Sequence, residues 1–289
     1  MNGIASVVWW ILAVAALLLV AWGAFSSLRL LYPPAYPVPI PNLLPSYTRH
    51  ALTGADGAVF DLWLLQPDAP RAFILICHGY YANRFQVLDL ADGLCRRRFA
   101  VGLFELRGHG SRRGPCTLGV KESDDAVRVL RWAQTTLPGS LPLAVIGFSM
   151  GAAVACQAAA NAGNVRAVVV DSIYSRLLPV IKKSLWRTYH LPAIPWAWVT
   201  WWFLQAALRA RLDPRDPVAL APRMRQPLLA IQGGEDRRVV PLLGREFFHR
   251  WAGPKERWFE PAVAHVGMFA KHPEAYCNRV AAFLEAALK

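Results

Sequence analysis

A serine at the centre of a G-x-S-x-G pentapeptide is the residue of this 289-residue chain best placed to do chemistry. The pentapeptide spans 147–151, and Ser149 stands between an apolar run at 141–146 and an alanine-rich run at 152–160. The first run is typical of a buried strand and the second of a helix, so Ser149 is predicted to lie on a sharp strand-to-helix turn. Such a turn exposes the hydroxyl, and the start of the helix favours a negative oxygen nearby. The pattern therefore predicts a serine nucleophile.

A serine hydroxyl is a weak nucleophile near neutral pH, so it needs a histidine to accept its proton and an acid to orient that histidine. We predict His265 as the base, because it lies in a loop of small residues ahead of the C-terminal helix. His249 lies among aromatic residues on a predicted helix, and His272 precedes a proline at a predicted helix start. A packing role is therefore favoured for His249, and a capping or surface role for His272. The histidines that follow the serine are His190, His249, His265 and His272.

Asp236 is predicted as the acid that orients the histidine. It lies in the loop after a predicted strand at 227–232 and precedes His265 by 29 residues, which leaves room for one helix and one strand. The alternative is Asp171, which follows the apolar run at 165–170. We favour a loop-capping role for Asp171.

Two backbone N–H groups would have to stabilise the negative oxygen of a tetrahedral intermediate. One is predicted to come from Met150, the residue after the nucleophile. The other is predicted to come from Tyr80, in the loop after an apolar run at 72–77. His78 in the same loop is predicted to shape the loop rather than to act as a base.

These motifs together resemble the α/β-hydrolase superfamily, and within it the membrane-anchored serine hydrolases of the abhydrolase-domain type. The resemblance implies an α/β fold: a mostly parallel sheet flanked by helices, with a cap insert over the site. It also implies hydrolysis of esters, thioesters, amides or lipids without a cofactor. Glu105 stands where relatives often carry an aspartate, and the resemblance makes it and His109 structural. The matching segments are His78-Gly79-Tyr80, Arg107-Gly108-His109-Gly110-Ser111, Gly147-Phe148-Ser149-Met150-Gly151, and Gly234-Glu235-Asp236 followed by His265.

The N-terminal segment predicts a membrane anchor. Residues 4–25 carry no charge, and as a helix they would extend about 33 Å, the thickness of a bilayer's hydrocarbon core. A cleaved signal peptide is the alternative, but it would have a basic start and a shorter apolar run. We predict an uncleaved transmembrane anchor at 1–28. Arg29, the first basic residue, lies on its C-terminal side and favours a cytoplasmic position for the rest of the chain.

The remainder is predicted to form one domain behind a spacer. Residues 29–46 are proline-rich and predict a semi-rigid spacer. Residues 47–289 are predicted to form the α/β-hydrolase domain, which starts with a β-hairpin and carries a cap insert at about 172–216. A helix from 195 to about 211 is predicted in this insert. We expect its tryptophans either to face a membrane or an acyl pocket, or simply to be buried; they are Trp196, Trp198, Trp201 and Trp202.

Composition favours a membrane over a nucleic acid as the anionic partner. The net charge is +13, yet the chain has no phosphate-binding loop and no nucleic-acid-binding motif. An anionic membrane surface explains the charge together with the N-terminal segment. The five cysteines have no metal-ligand spacing and no close pairing, so neither a metal nor a disulfide framework is predicted. The hydrolase resemblance implies no cofactor.

The predicted function is a membrane-anchored serine hydrolase that cleaves an ester or thioester of a lipophilic acyl substrate. A serine peptidase or amidase is the enzymatic alternative, because the same three side chains can cleave amides. A non-catalytic hydrolase-like membrane scaffold is the alternative from another class.

Overall fold

The computed structural model describes residues 2–34 and 44–289. Residues 35–43, half of the predicted spacer, lie outside the described residues. In the described part, eight strands form one sheet in the order β1-β2-β4-β3-β5-β6-β7-β8. The strands are β1 (Thr48–Thr53), β2 (Val59–Leu65), β3 (Phe73–Cys77), β4 (Ala100–Phe104), β5 (Leu143–Phe148), β6 (Val165–Asp171), β7 (Leu228–Gly233) and β8 (Lys255–Glu260).

The sheet is mostly parallel, as the resemblance implied. β2 runs antiparallel to β1 and to β4, and every other neighbouring pair is parallel. The predicted hairpin is confirmed by the β1–β2 register, which runs from Thr48 opposite Leu64 to Thr53 opposite Val59. The central strands are continuous apolar runs rather than alternating ones, because helices cover both of their faces.

Helices on the two faces of the sheet enclose two apolar cores. Leu75 and Val145 point into one core, and their neighbours Ile74 and Ile146 point into the other. The helices are α1 (Asn2–Leu31), α2 (Leu88–Cys95), α3 (Val120–Thr136), α4 (Met150–Ala162), α5 (Leu177–Tyr189), α6 (Trp196–Leu208), α7 (Pro217–Leu220), α8 (Pro241–Arg250), α9 (Met268–Lys271) and α10 (Pro273–Ala287).

The N-terminal helix α1 is long and apolar enough to cross a membrane. The stretch Gly3–Leu31 contains an 18-residue window with a mean hydropathy of 2.6, and no residue of that window is buried. The helix continues past the predicted anchor boundary at 28, and Leu31 is a buried residue of the apolar core. α1 therefore has an exposed apolar part and a C-terminal part that belongs to the folded domain.

The C-terminal part of α1 packs closely on α6. The Ser26 and Thr200 hydroxyl oxygens lie 2.8 Å apart, and the Ser27 hydroxyl donates to the Thr200 carbonyl at 3.3 Å. A methyl group added at Gly23 would overlap the ring of Phe203, so the glycine allows the close approach of the two helices.

The predicted cap insert contains two helices, of which the sequence predicted one. α6 begins where predicted but ends at Leu208, three residues before the expected end. Of its tryptophans, Trp201 is buried, Trp196 contacts the α1 residue Trp22 edge to face, and Trp202 is 70% exposed. None of the four lines the cavity beside Ser149, so the structure does not support an acyl pocket built by these rings.

Candidate active site

Ser149 is the one residue between the end of β5 and the start of α4. Its backbone has φ 54° and ψ −115°, a conformation that a residue with a side chain rarely adopts and that stores strain. Its N–H donates to the Asp171 carbonyl at 2.9 Å, which ties the turn to the neighbouring strand β6. The predicted strand-to-helix turn is therefore present in its strained form.

The two glycines of the pentapeptide allow this turn because a side chain at either position would meet backbone. A methyl group at Gly147 would overlap the carbonyl oxygen of Gly151. One at Gly151 would overlap the carbonyl oxygens of Cys77 and His78, at the end of β3. The spacing of glycines in the sequence thus follows from the close approach of α4 to two strands.

The structure brings the three predicted side chains into one hydrogen-bonded chain. His265 Nε2 lies 2.9 Å from Ser149 Oγ, and His265 Nδ1 lies 2.7 Å from Asp236 Oδ2. The Asp236 carboxylate is fully buried, and its other oxygen accepts from the backbone N–H groups of Arg238 at 2.9 Å and Val239 at 2.8 Å. This arrangement can take a proton from the serine and stabilise the resulting imidazolium.

The rival carboxylate Asp171 takes other partners. It accepts from the Ser172 hydroxyl at 2.9 Å and from the Tyr276 hydroxyl at 3.2 Å, and it has no hydrogen bond to His265. The Ser172 hydroxyl in turn accepts from the Val266 N–H at 3.0 Å, so this network holds the residue that follows His265. Asp171 therefore helps to hold the loop that carries His265, and it is not part of the hydrogen-bonded chain of Ser149, His265 and Asp236.

The other histidines after Ser149 lie away from it. His272 precedes α10 and faces Glu260, with Nε2 3.4 Å from a carboxylate oxygen. His190 ends α5 and is exposed. The packing role predicted for His249 is wrong, because its position on α8 leaves it exposed beside Arg245 rather than among the buried rings.

We expect Asp236→Asn to lower kcat for ester hydrolysis by about 10⁴-fold, because an asparagine favours the wrong histidine tautomer. Asp171→Asn should lower kcat by less than about ten-fold, since the carboxamide still accepts one hydrogen bond in the supporting network. Steady-state kinetics of the two purified variants measure the contrast. A large loss from Asp171→Asn alone would reverse the assignment of the acid.

Asp171 should also make stability depend on pH. Burial raises the pKa of Asp171 to about 6, above its unfolded value near 4. Between these values the folded chain binds more protons than the unfolded chain, so the free energy of unfolding falls as the pH rises. Asp171→Asn removes this contribution, and the Tm of the variant minus that of wild type should increase from pH 4 to pH 7. Parallel Tm curves in the two proteins would contradict this expectation.

The predicted oxyanion donors face the same space. Tyr80 and Met150 both line the cavity that contains Ser149 and His265. Met150 is the first residue of α4, so its N–H has no acceptor within the helix. In the described part of the chain, the Tyr80 N–H is likewise without a hydrogen bond, while the Tyr80 hydroxyl donates to the Leu30 carbonyl at 2.7 Å. Two free N–H groups are thus available beside the serine.

The polar residues of the neighbouring loops are engaged with one another. His78 is buried, with Nδ1 2.8 Å from the Gly79 carbonyl and Nε2 accepting from the Leu106 N–H at 3.0 Å. Glu105 accepts from the guanidinium of Arg84 at 2.8 Å. Burial lowers the pKa of His109 to about 4, so this ring is neutral at physiological pH. These contacts fit the structural roles expected for His78, Glu105 and His109.

Two residues of the site carried no signal in the sequence. Gln232, on β7, donates to Asp236 Oδ2 at 3.3 Å, and Ser172 connects Asp171 to the histidine loop. Neither belongs to a motif, and only the folded arrangement brings them there. Among residues 2–34 and 44–289, no group of three or more His, Cys, Asp or Glu side chains is arranged to hold a metal ion.

Comparison with known proteins agrees with the fold. A family model described as the α/β hydrolase fold matches residues 73–201, which include Ser149. An uncharacterised protein of Mycobacterium tuberculosis, MT2364, is 27% identical over 262 residues, which cover 87% of this chain and 86% of that protein. An uncharacterised protein of Bacillus subtilis, YqkD, is 24% identical over 221 residues, which cover 75% and 72% of the two chains.

Solved structures show the same architecture. The esterase Pf2001 of Pyrococcus furiosus superposes with a TM-score of 0.74 at 23% identity, covering 90% of this chain and 99% of that one. A dienelactone hydrolase of Anabaena variabilis superposes with a TM-score of 0.60 at 16% identity, covering 86% and 100%. The sheet, the family model and these solved structures show that the chain has the α/β-hydrolase fold.

Proposed function

We propose that this protein is a serine hydrolase that cleaves an ester or thioester of a lipophilic acyl substrate through an acyl-enzyme. The observation that carries the proposal is the chain from Ser149 Oγ through His265 to the buried Asp236 carboxylate, with contacts of 2.9 and 2.7 Å. A non-catalytic scaffold has no need of this geometry or of the strained backbone at Ser149.

In the proposed reaction, Ser149 attacks the acyl carbonyl carbon while His265 accepts the hydroxyl proton. The Met150 and Tyr80 N–H groups stabilise the negative oxygen of the tetrahedral intermediate. His265 then gives its proton to the leaving alcohol or thiol, and the acyl group stays on Ser149. Water releases the acyl group in a second half-reaction, with His265 again as the base.

The size and lining of the cavity beside Ser149 favour a substrate with a lipophilic acyl group. It has a volume of about 400 Å³, within the range of small-molecule sites. Apolar side chains from four separate elements form much of its wall, and an acyl chain would bury them. They include Leu30 of α1, Leu118 of the loop before α3, Val180 and Ile181 of α5, and Val239 of the loop after β7.

We also propose that α1 stays attached to the domain as a membrane anchor. Leu31 is 6% exposed, and its carbonyl accepts from the Cys116 N–H at 2.7 Å. Cleavage near the C-terminal end of α1, after Ser27, would remove contacts of the folded domain, including those of Ser26 with Thr200 on α6. These contacts support retention of the helix over removal of a signal sequence, and the exposed tryptophans of α6 lie on the element that α1 packs against.

The activity is tested with an octanoyl alkyl ester and the matching octanoyl alkyl amide. We expect the wild-type protein to release octanoate from the ester with a kcat/KM at least about 100-fold above that for the amide, and Ser149→Ala to release none. Comparable hydrolysis of the amide would favour the peptidase or amidase alternative. A folded wild-type protein that hydrolyses neither compound would favour the scaffold.

The anchor is tested by carbonate extraction of membranes that contain the full chain, followed by mass measurement of the protein. We expect the protein in the membrane pellet with its N-terminal helix intact. A released protein that starts after α1 would show that the helix is a signal sequence.

A further inference from the structure

The cavity at Ser149 is lined by four basic side chains, and no acidic residue is among the described residues that line it. The four come from three distant parts of the chain. Arg29 lies in the last turn of α1, Lys183 and Arg187 lie one helical turn apart on α5, and Arg238 lies in the loop after β7. Residues four apart face the same side of a helix, so both α5 cations are directed at the cavity.

These four cations, which we call the cationic rim, have no carboxylate partner. In the part of the chain that the structure describes, none of them forms an ion pair, whereas Arg84 and Arg107 are paired with buried carboxylates. The Arg187 guanidinium donates to the Arg237 carbonyl at 3.2 Å. The rim therefore keeps its positive charge available to a ligand, and a cleft lined by one sign of charge concentrates ligands of the other.

Lys183 adds a second indication, because it is partly buried without a partner. Burial lowers the pKa of this ammonium, and the charge of Asp236 acts in the opposite direction. A cation that has lost part of its hydration without gaining a counter-ion is poorly stabilised. An anion bound in the cavity would replace the lost stabilisation of the ammonium charge.

The cationic rim and the apolar wall together make the cavity amphipathic. The wall would hold an acyl chain, Ser149 would meet the carbonyl group, and the rim would face the alcohol part of an ester. Arg29 lies in the last turn of the apolar helix, so the rim lies where a spanning helix would leave the hydrocarbon and reach the phosphate layer of a bilayer.

We propose that the cavity selects acyl esters whose alcohol part carries a phosphate group, and that the cationic rim binds this phosphate. The inference rests on the proposed hydrolase function and names its substrate class. Arginine suits the role because its guanidinium forms paired hydrogen bonds with phosphate oxygens.

The test compares 1-lauroylglycerol with 1-lauroylglycerol 3-phosphate, which share the acyl chain and the ester bond and differ in the phosphate. The full chain is assayed in nonionic micelles, so that the substrate is the only source of phosphate. The rim variants are Lys183→Gln/Arg187→Gln and Arg29→Gln/Arg238→Gln. The control Arg128→Gln/Arg166→Gln removes two exposed positive charges that do not line the cavity.

We expect wild type to prefer the phosphate ester by at least about ten-fold in kcat/KM, mainly through a lower KM. Each rim variant should lose most of this preference, while the control keeps it. Equal kcat/KM for the two esters in wild type would overturn the inference. An equal loss in the control would also overturn it, because overall charge rather than the rim would then set the preference.

A further experiment, with anionic vesicles added, distinguishes binding of the substrate's phosphate from binding of phosphate in a bilayer. If the rim binds neighbouring lipids instead, anionic vesicles will raise hydrolysis of both esters equally, and micelles will show no preference; this outcome contradicts the proposal. Failure of the proposed function is distinguishable, because neither ester would then be hydrolysed by wild type and the octanoyl ester would also remain intact.

Discussion

Replacement of His265 by alanine is expected to lower kcat for ester hydrolysis by about 10⁵-fold or more. The reason is geometric: His265 Nε2, at 2.9 Å from Ser149 Oγ, is the only base hydrogen-bonded to that hydroxyl among the described residues. Without it, the serine keeps its proton at neutral pH and the leaving group has no acid to protonate it. Single-turnover and steady-state kinetics of the folded variant measure the loss.

His272→Ala is the matched control, because this histidine follows the same loop and faces Glu260 instead of Ser149. It should keep kcat within about two-fold of wild type, as expected for a surface substitution away from the chemistry. Residual activity above about 1% in folded His265→Ala would show that another group accepts the proton, and the account of the site would fail.

Replacement of Gly151 by alanine should prevent formation of the native turn. The added methyl group would overlap the carbonyl oxygens of Cys77 and His78, and neither strand-end atom can rotate away as a flexible side chain could. Overpacking against backbone in a dense core costs about 3 kcal/mol or more, a large part of the stability of a single domain. We expect a Tm lowered by at least about 8 °C, or no recoverable folded protein.

Gly3→Ala is the control for the chemical change itself. Gly3 lies in the helix α1, and a methyl group added there would meet nothing within 4 Å. This variant should retain the Tm of wild type. If Gly151→Ala also retained the wild-type Tm, the close approach of α4 to β3 would be wrong.

Local signals in the sequence predicted the core of the site because its chemistry is tied to short segments. The glycines around Ser149 indicate a close backbone approach. Asp236 lies in the loop after the apolar run that forms β7, and His265 lies in a loop ahead of α10. Each of these features is contained in a few consecutive residues. The structure adds how the three side chains meet. Ser149 and His265, which form a hydrogen bond, are 116 residues apart in the sequence.

Features that depend on distant contacts could not be predicted in this way. The docking of Ser26 on Thr200 joins residues 174 apart, and α1 looks like a plain apolar helix in the sequence. The helix α5 was not predicted, although it carries Lys183 and Arg187 to the cavity mouth. The exposed position of His249 depends on which face of α8 packs on the sheet, a choice that its aromatic neighbours did not reveal.

The most direct test of the central claim is labelling of the full chain in membrane fractions by a fluorophosphonate, which reacts covalently with activated serine hydroxyls. We predict labelling of wild type, with the adduct mapped to Ser149 by peptide mass spectrometry, and no labelling of Ser149→Ala. Labelling of Ser149→Ala, or an unlabelled wild-type protein that is folded and hydrolyses no ester, would contradict the claim that Ser149 is an activated nucleophile.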